Sequence, residues 1–251
     1  AGNDRFKPWY VETPAERALA AVSGEVFRRV GLLHDVPRAA LVHSACTMTT
    51  GVRRLLDRAE SRSRPYPAVQ DQAELREYCY YVAGTVGEML CAMFAAHLQM
   101  PQLTNLRPLA IELGVGLQLV NILKDFRDDA AHGRRYLPLD DGHANAAGAY
   151  RASLTAAQAS LRRGVEFVLA LPLHALGVRR FCGLPIAWGA LTLGAARGAA
   201  GKMTRAALQA SIRAFEDRVG NDAALAAWLG ELLSRVGGGT SPADAGGRQL
   251  A

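Results

Sequence analysis

At 251 residues, half of them hydrophobic, the chain carries enough apolar side chain for a sizeable core in one or two domains. The net charge of +6 suits an anionic ligand or an anionic membrane surface. No helix-turn-helix, zinc-finger or aromatic RNA-binding signature accompanies it, so nucleic acid is not an expected partner.

Ala, Leu, Arg and Gly dominate and strand-like alternation is scarce, which points to an all-α chain. The four cysteines (Cys46, Cys79, Cys91, Cys182) lack metal spacing and read as packed, reduced thiols of a cytoplasmic protein.

Residues 1–13 form a charged, aromatic leader without the pattern of a signal peptide. The chain opens on Ala1 rather than methionine, as a processed or truncated protein would. Thr13-Pro14-Ala15-Glu16 reads as an N-cap, a proline at the first helical position and an early acid, so a helix is predicted from there to about Val30. A second runs from Asp35 to about Glu60, and the prolines of Ser61–Pro67 enforce a loop.

Gln70–His97 is helical. Gly84 and Gly87, with Ala83 beside them, offer a small-residue face for another helix, at a propensity cost of about 1 kcal/mol per glycine. Tyr78, Val82 and Val86 share one face, which taken alone reads as an ordinary packed helix face.

Pro101 breaks the chain before a helix over about Leu109–Ala131. A loop at His143–Gly148 precedes a helix over Ala149–Leu171. Leu173–Gly201 reads as a core helix pair, since its uncharged stretch is broken by Pro185 and falls short of the roughly 20 residues a membrane span needs. Thr204–Arg235 carries two amphipathic helices, and 236–251 is a glycine-rich, flexible tail. Residues 14–235 are thus expected to form a single helical domain.

The segment Leu113–Pro138 carries the chemistry. Gly114, Gln118, Asn121, Asp125, Asp128 and Asp129 fall on one side of a helix whose other positions are mostly apolar. Carboxylates continuing an amide stripe need cations, basic groups or water around them. Oxygen ligands suit Mg²⁺, which bridges a few carboxylates to substrate phosphates. His132, Arg134 and Arg135 follow at once, as donors for phosphate oxygens. The stripe therefore reads as a diphosphate site, against the plain alternative of a solvated acidic face.

Three segments in this order, YCYYVAGTVG, LQLVNILKDFRDDAAHGRRYLP and RRFCGLP, resemble the squalene/phytoene synthase family over about residues 25 to 215. The resemblance implies the isoprenoid synthase fold, a helical bundle around a central cavity, and a transferase joining two farnesyl or geranylgeranyl diphosphates head to head. It implies that Asp125, Asp128 and Asp129, with Asn121, hold Mg²⁺, Asp128 standing where the family often has Glu. Asp125, Asp129 and Tyr78 would be catalytic. Val82, Val86, Leu113, Gly114, Phe181, Cys182 and Pro185 would line the prenyl pocket, with Gln118 and Asn121 at its polar end and Arg134 and Arg135 in the basic turn. NADPH enters as an optional reductant of the product. Loose membrane association fits a basic surface and an apolar product.

One family feature is missing. A first aspartate-rich motif belongs near the N-terminus; Asp4 and Asp57/Glu60 are the nearest substitutes, and neither has its spacing. Three expectations stay open: a fragment lacking N-terminal helices, a short chain whose site a partner subunit completes, or a non-catalytic binding or assembly relative. The three aspartates of the second motif speak against the last.

Overall fold

The computed structural model describes residues 13–63, 69–132, 134–138, 146–197 and 203–236. Among them there are helices and connections and no strand. The leader up to residue 12 and the 237–251 tail lie outside the described residues.

Two short helices, α1 (Pro14–Ala21) and α2 (Ser23–Gly31), replace the single predicted one. Val22 sits in a turn conformation at φ −94° and ψ 0°, and Ser23 donates back to the carbonyl of Ala20. Ser23 and Gly24 are weak helix formers, so nothing carries the helix across. α2 is strongly amphipathic yet has no buried residue.

Helix α3 (Asp35–Ser61) follows, and α4 (Gln72–Cys79) is capped by Asp71, whose side chain accepts from the backbone N–H of Glu74. The predicted continuous helix over 70–97 is instead interrupted by a π-helical turn, Tyr80–Gly84, before α5 (Thr85–His97). In this wide turn the Thr85 N–H reaches back to the carbonyl of Tyr80. The carbonyl of Tyr81, which an α-helix would pair with that N–H, accepts from the Thr85 hydroxyl at 2.9 Å instead. One hydroxyl thus removes the penalty that a wide turn would leave in a buried helix.

A 3₁₀ segment, Pro101–Leu106, leads into the central helix α6 (Arg107–Ala131). Its buried face (Leu113, Val115, Gly116, Leu119, Val120, Ile122, Leu123) packs mainly against α7 (Ala146–Ala170) and α5. α8 (Leu176–Arg197), α9 (Arg205–Glu216) and α10 (Asp222–Arg235) complete the bundle. One buried cluster joins α3 to α10.

α8 corrects the predicted helix pair: it is one helix with Pro185 inside it. A proline removes a helical hydrogen bond and crowds the preceding turn. Here Phe181, Leu184 and Pro185 border a cavity, so no neighbouring helix presses on that side. Ile186, Ala187, Ala190 and Leu193 are buried on the other side and hold both halves in line.

Glycines set the spacing. A Cβ on Gly87 would lie 2.0 Å from the Ala110 carbonyl oxygen, and one on Gly114 2.2 Å from that of Ala83. These contacts make the α4–α5 segment and α6 antiparallel and nearly touching at the backbone, as the small-residue face predicts. Residues 72–97 and 101–131 are long and apolar enough to cross a bilayer, yet both contribute buried residues to the bundle's core.

Candidate functional site

A cavity of about 590 Å³ opens between α5, α6 and α8. From the α5 side it is lined by Val82 and Val86, from α6 by Leu113, Gly114, Gln118 and Asn121, and from α8 by Phe181, Cys182 and Pro185. Every residue expected in the prenyl pocket is there. The walls also include Ala83 and Gly87 of the small-residue face, and Leu90, Leu117 and, on α8, Arg180, Leu184 and Trp188, which the sequence reading did not single out. Positions 181, 184, 185 and 188 share a face on an unbroken helix. Reading α8 as a pair hides that repeat, and Trp188 with it.

Among the described residues no Asp or Glu lines the cavity. Asn121 is exposed at its mouth, and the carboxylates follow along the same helix: Asp125 one turn on and Asp129 two turns on. Asp125 is 44% exposed and pairs with Lys124 at 3.1 Å. Asp129 is 17% exposed and accepts from Arg134 Nε at 3.0 Å. Asp128 is exposed, and its backbone carbonyl lies 2.7 Å from His132 Nδ1. Arg134 thus folds back onto the acidic stripe, while Arg135 is exposed beyond it.

Tyr78 is not part of the cavity lining. It is 7% exposed, and its ring packs on Tyr136 at 5.3 Å between centroids. Since Ala83 opposes Gly114 and the segments are antiparallel, Tyr78 stands near the level of Gln118 and Asn121, on the mouth side. Asp57 pairs with Arg53 on the surface of α3, away from the cavity, and Asp4 lies outside the described residues.

At the opposite end, Phe181 meets Phe94 edge-on at 6.0 Å. Arg180 donates from Nε to both oxygens of Glu216 at 2.8 and 2.9 Å, and this hydrogen bond raises the guanidinium's pKa further. Burial pushes the Cys182 thiol up to about 12, so it serves as apolar wall rather than as a nucleophile.

The donors at the mouth are all oxygen. Among the described residues no group of three or more His, Cys, Asp or Glu converges on one point. The stripe therefore does not build a protein-only metal cage. It does offer what Mg²⁺ commonly takes from a protein, one or two carboxylates, with phosphates and water completing the shell.

Residues 33–216 match the sequence profile of the squalene/phytoene synthase family. Phytoene synthase 2, chloroplastic, of Oryza sativa subsp. japonica is 42% identical over 95 residues, 38% of this chain and 22% of that protein. Phytoene synthase of Arthrospira platensis is 46% identical over 76 residues, 27% of this chain and 25% of that one. Each match thus spans a quarter or less of the relative's length. A solved complex of TcSQS with the ligand BPH1237 superposes with a TM-score of 0.74 at 23% identity, covering 93% of this chain and 71% of that one. The bundle has the isoprenoid synthase fold.

Proposed function

The chain belongs to the squalene/phytoene synthase family, and from that premise we propose that it condenses two prenyl diphosphates head to head. The carrying observation is an apolar cavity into whose lining Gln118 and Asn121 bring the polar stripe that continues along α6 through Asp125 and Asp129.

In this reading the cavity walls hold the prenyl chains. Leaving of diphosphate breaks an allylic C–O bond, the electron pair departs with the oxygen, and an allylic cation remains. The second chain's double bond attacks that cation, and loss of a proton closes a cyclopropyl ring. Val82, Val86, Leu113 and Leu117 keep water from the cation. Asn121, Asp125 and Asp129, with Asp128 at the outer edge, would hold Mg²⁺, whose charge neutralises the departing diphosphate. Arg134 and Arg135 stand beside the same stripe as donors to its oxygens. Tyr78, behind the mouth, would serve as positioning residue through Tyr136 rather than by touching the chains.

One observation favours a second reading. The described residues place a single acidic stripe at the mouth and none across from it. A partner subunit, or chain beyond the described residues, would then complete the site, or the protein would bind prenylated ligands without turning them over.

Incubation with Mg²⁺ and farnesyl or geranylgeranyl diphosphate tests both. Condensation predicts diphosphate release that falls about 10²-fold or more in Asp125→Ala. No turnover, together with prenyl diphosphate binding unchanged in Asp125→Ala, would overturn the enzyme reading.

A further inference from the structure

The proposed chemistry passes through a cation, and among the described residues no carboxylate lines the cavity to stabilise it. Of these lining residues Arg180 alone is charged; it is cationic, sits two helical turns from Trp188 and is neutralised by Glu216. What remains for a positive charge is a π face.

Among the described residues two aromatic side chains line the cavity, Phe181 and Trp188. Phe181 lies at the far end, edge-on to Phe94 and 58% exposed, where water would reach a cation. Trp188 stands at the mouth. Its neighbour Gly189 would bring a Cβ to 3.3 Å from Val120 Cγ2 and 3.8 Å from Leu117 Cδ2. That sets this turn of α8 level with residues 117–121 of α6, where Gln118 and Asn121 begin the polar stripe.

The indole is also fixed. Trp188 Nε1 donates to Ser211 Oγ at 3.1 Å, and the Ser211 hydroxyl donates to the Leu208 carbonyl at 2.6 Å. Ser211 is itself 5% exposed. With its N–H already taken by α9, the ring has only its apolar surface left to offer the cavity.

We propose that Trp188 is a catalytic residue that holds the allylic cation against its indole face, and that Ser211 positions it. This rests on the prenyl condensation reading.

Binding of two probes at the purified chain tests it: farnesyl trimethylammonium, which carries the positive charge, and farnesol, which shares the chain and lacks the charge. Trp188→Leu is expected to weaken the ammonium about 3- to 30-fold and farnesol less than half as much on a logarithmic scale. Trp188→Phe should retain most of the charge preference, and Ser211→Ala should lose part of it while keeping farnesol affinity. In turnover, Trp188→Leu should raise the share of water-quenched prenyl alcohol over coupled product.

Equal weakening of both probes by Trp188→Leu, or no weakening, overturns the proposal and leaves the condensation reading standing. Failure of the unaltered chain to bind either probe removes that reading as well.

Discussion

Glu74 ties three segments together. Its carboxylate accepts from Arg62 at 2.7 and 2.9 Å, from Arg58, and from the backbone N–H of Gln70. The Arg62 hydrogen bond foremost lowers its pKa to about 2, against an ordinary 4.5. The stabilisation is therefore complete above pH 4.5 and is lost as pH falls from there through about 2. It amounts to at most about 3 kcal/mol. Thermal melts should show midpoints falling across that window, and Glu74→Gln should flatten the fall and lower the neutral-pH midpoint.

At this scale the sequence was most legible where a motif repeats along a helix. Spacing alone puts Gly114, Gln118 and Asn121 on one helix stripe and Val82 and Val86 on one face of another; that these and Leu113 line one pocket is what the family resemblance implies. Residues fixed by a distant partner were not legible. Tyr78 packs on Tyr136 and is not part of the cavity lining, a contact that leaves no trace in local spacing.

Among the elements, the contact of α6 with the α4–α5 segment depends on having no Cβ at two points. Gly114→Ala places a methyl 2.2 Å from the Ala83 carbonyl oxygen, where only backbone can yield. Alanine's helix propensity favours the change by about 1 kcal/mol, while overpacking costs about 1–3 kcal/mol. Net destabilisation is expected, read as a lower denaturation midpoint in urea, with a smaller cavity. A midpoint equal to or above the parent's would show that the two helices can part without cost.

The helices themselves were legible from prolines, caps and apolar spacing. Their interruptions were not. The π-helical turn depends on the Thr85 hydroxyl meeting the Tyr81 carbonyl, and the unbroken α8 depends on burial outweighing Pro185. Both are decided by free groups and neighbours that a local rule does not see.

Across the whole molecule, Arg179 does for the C-terminal half what Glu74 does locally. It is fully buried, which the motif RRFCGLP does not by itself reveal. Its Nε donates to Val219 O at 3.1 Å, and Nη1 to Val168 O and Leu171 O at 3.1 and 2.7 Å. Nη2 meets Asp222 at 2.5 Å. One guanidinium thus satisfies the end of α7, the α9–α10 turn and the start of α10. Arg179→Met leaves those carbonyls without their donor, at a cost of about 1–3 kcal/mol for each one kept from water, while Asp222, 47% exposed, turns to solvent. Hydrogen exchange should then show α7 to α10 losing protection together; loss confined to α8 would refute the clamp.

The other end of the molecule is its opposite. Val26, Phe27, Leu32 and Leu33 are exposed around α2, Phe27 by 74%. An apolar face of this kind at the entry to α3 marks where the bundle is least self-sufficient.

The wide turn at Tyr80–Gly84 carries a geometric consequence of its own. It absorbs one residue beyond the ordinary helical count, and so resets the azimuth of everything after it. An unbroken α-helix over the same residues would instead turn α5 by about 100°. Val86, Gly87 and Leu90 would then leave the cavity while Tyr78 and Cys79 stayed where they are. The single widened turn therefore chooses which side chains of α5 meet the cavity.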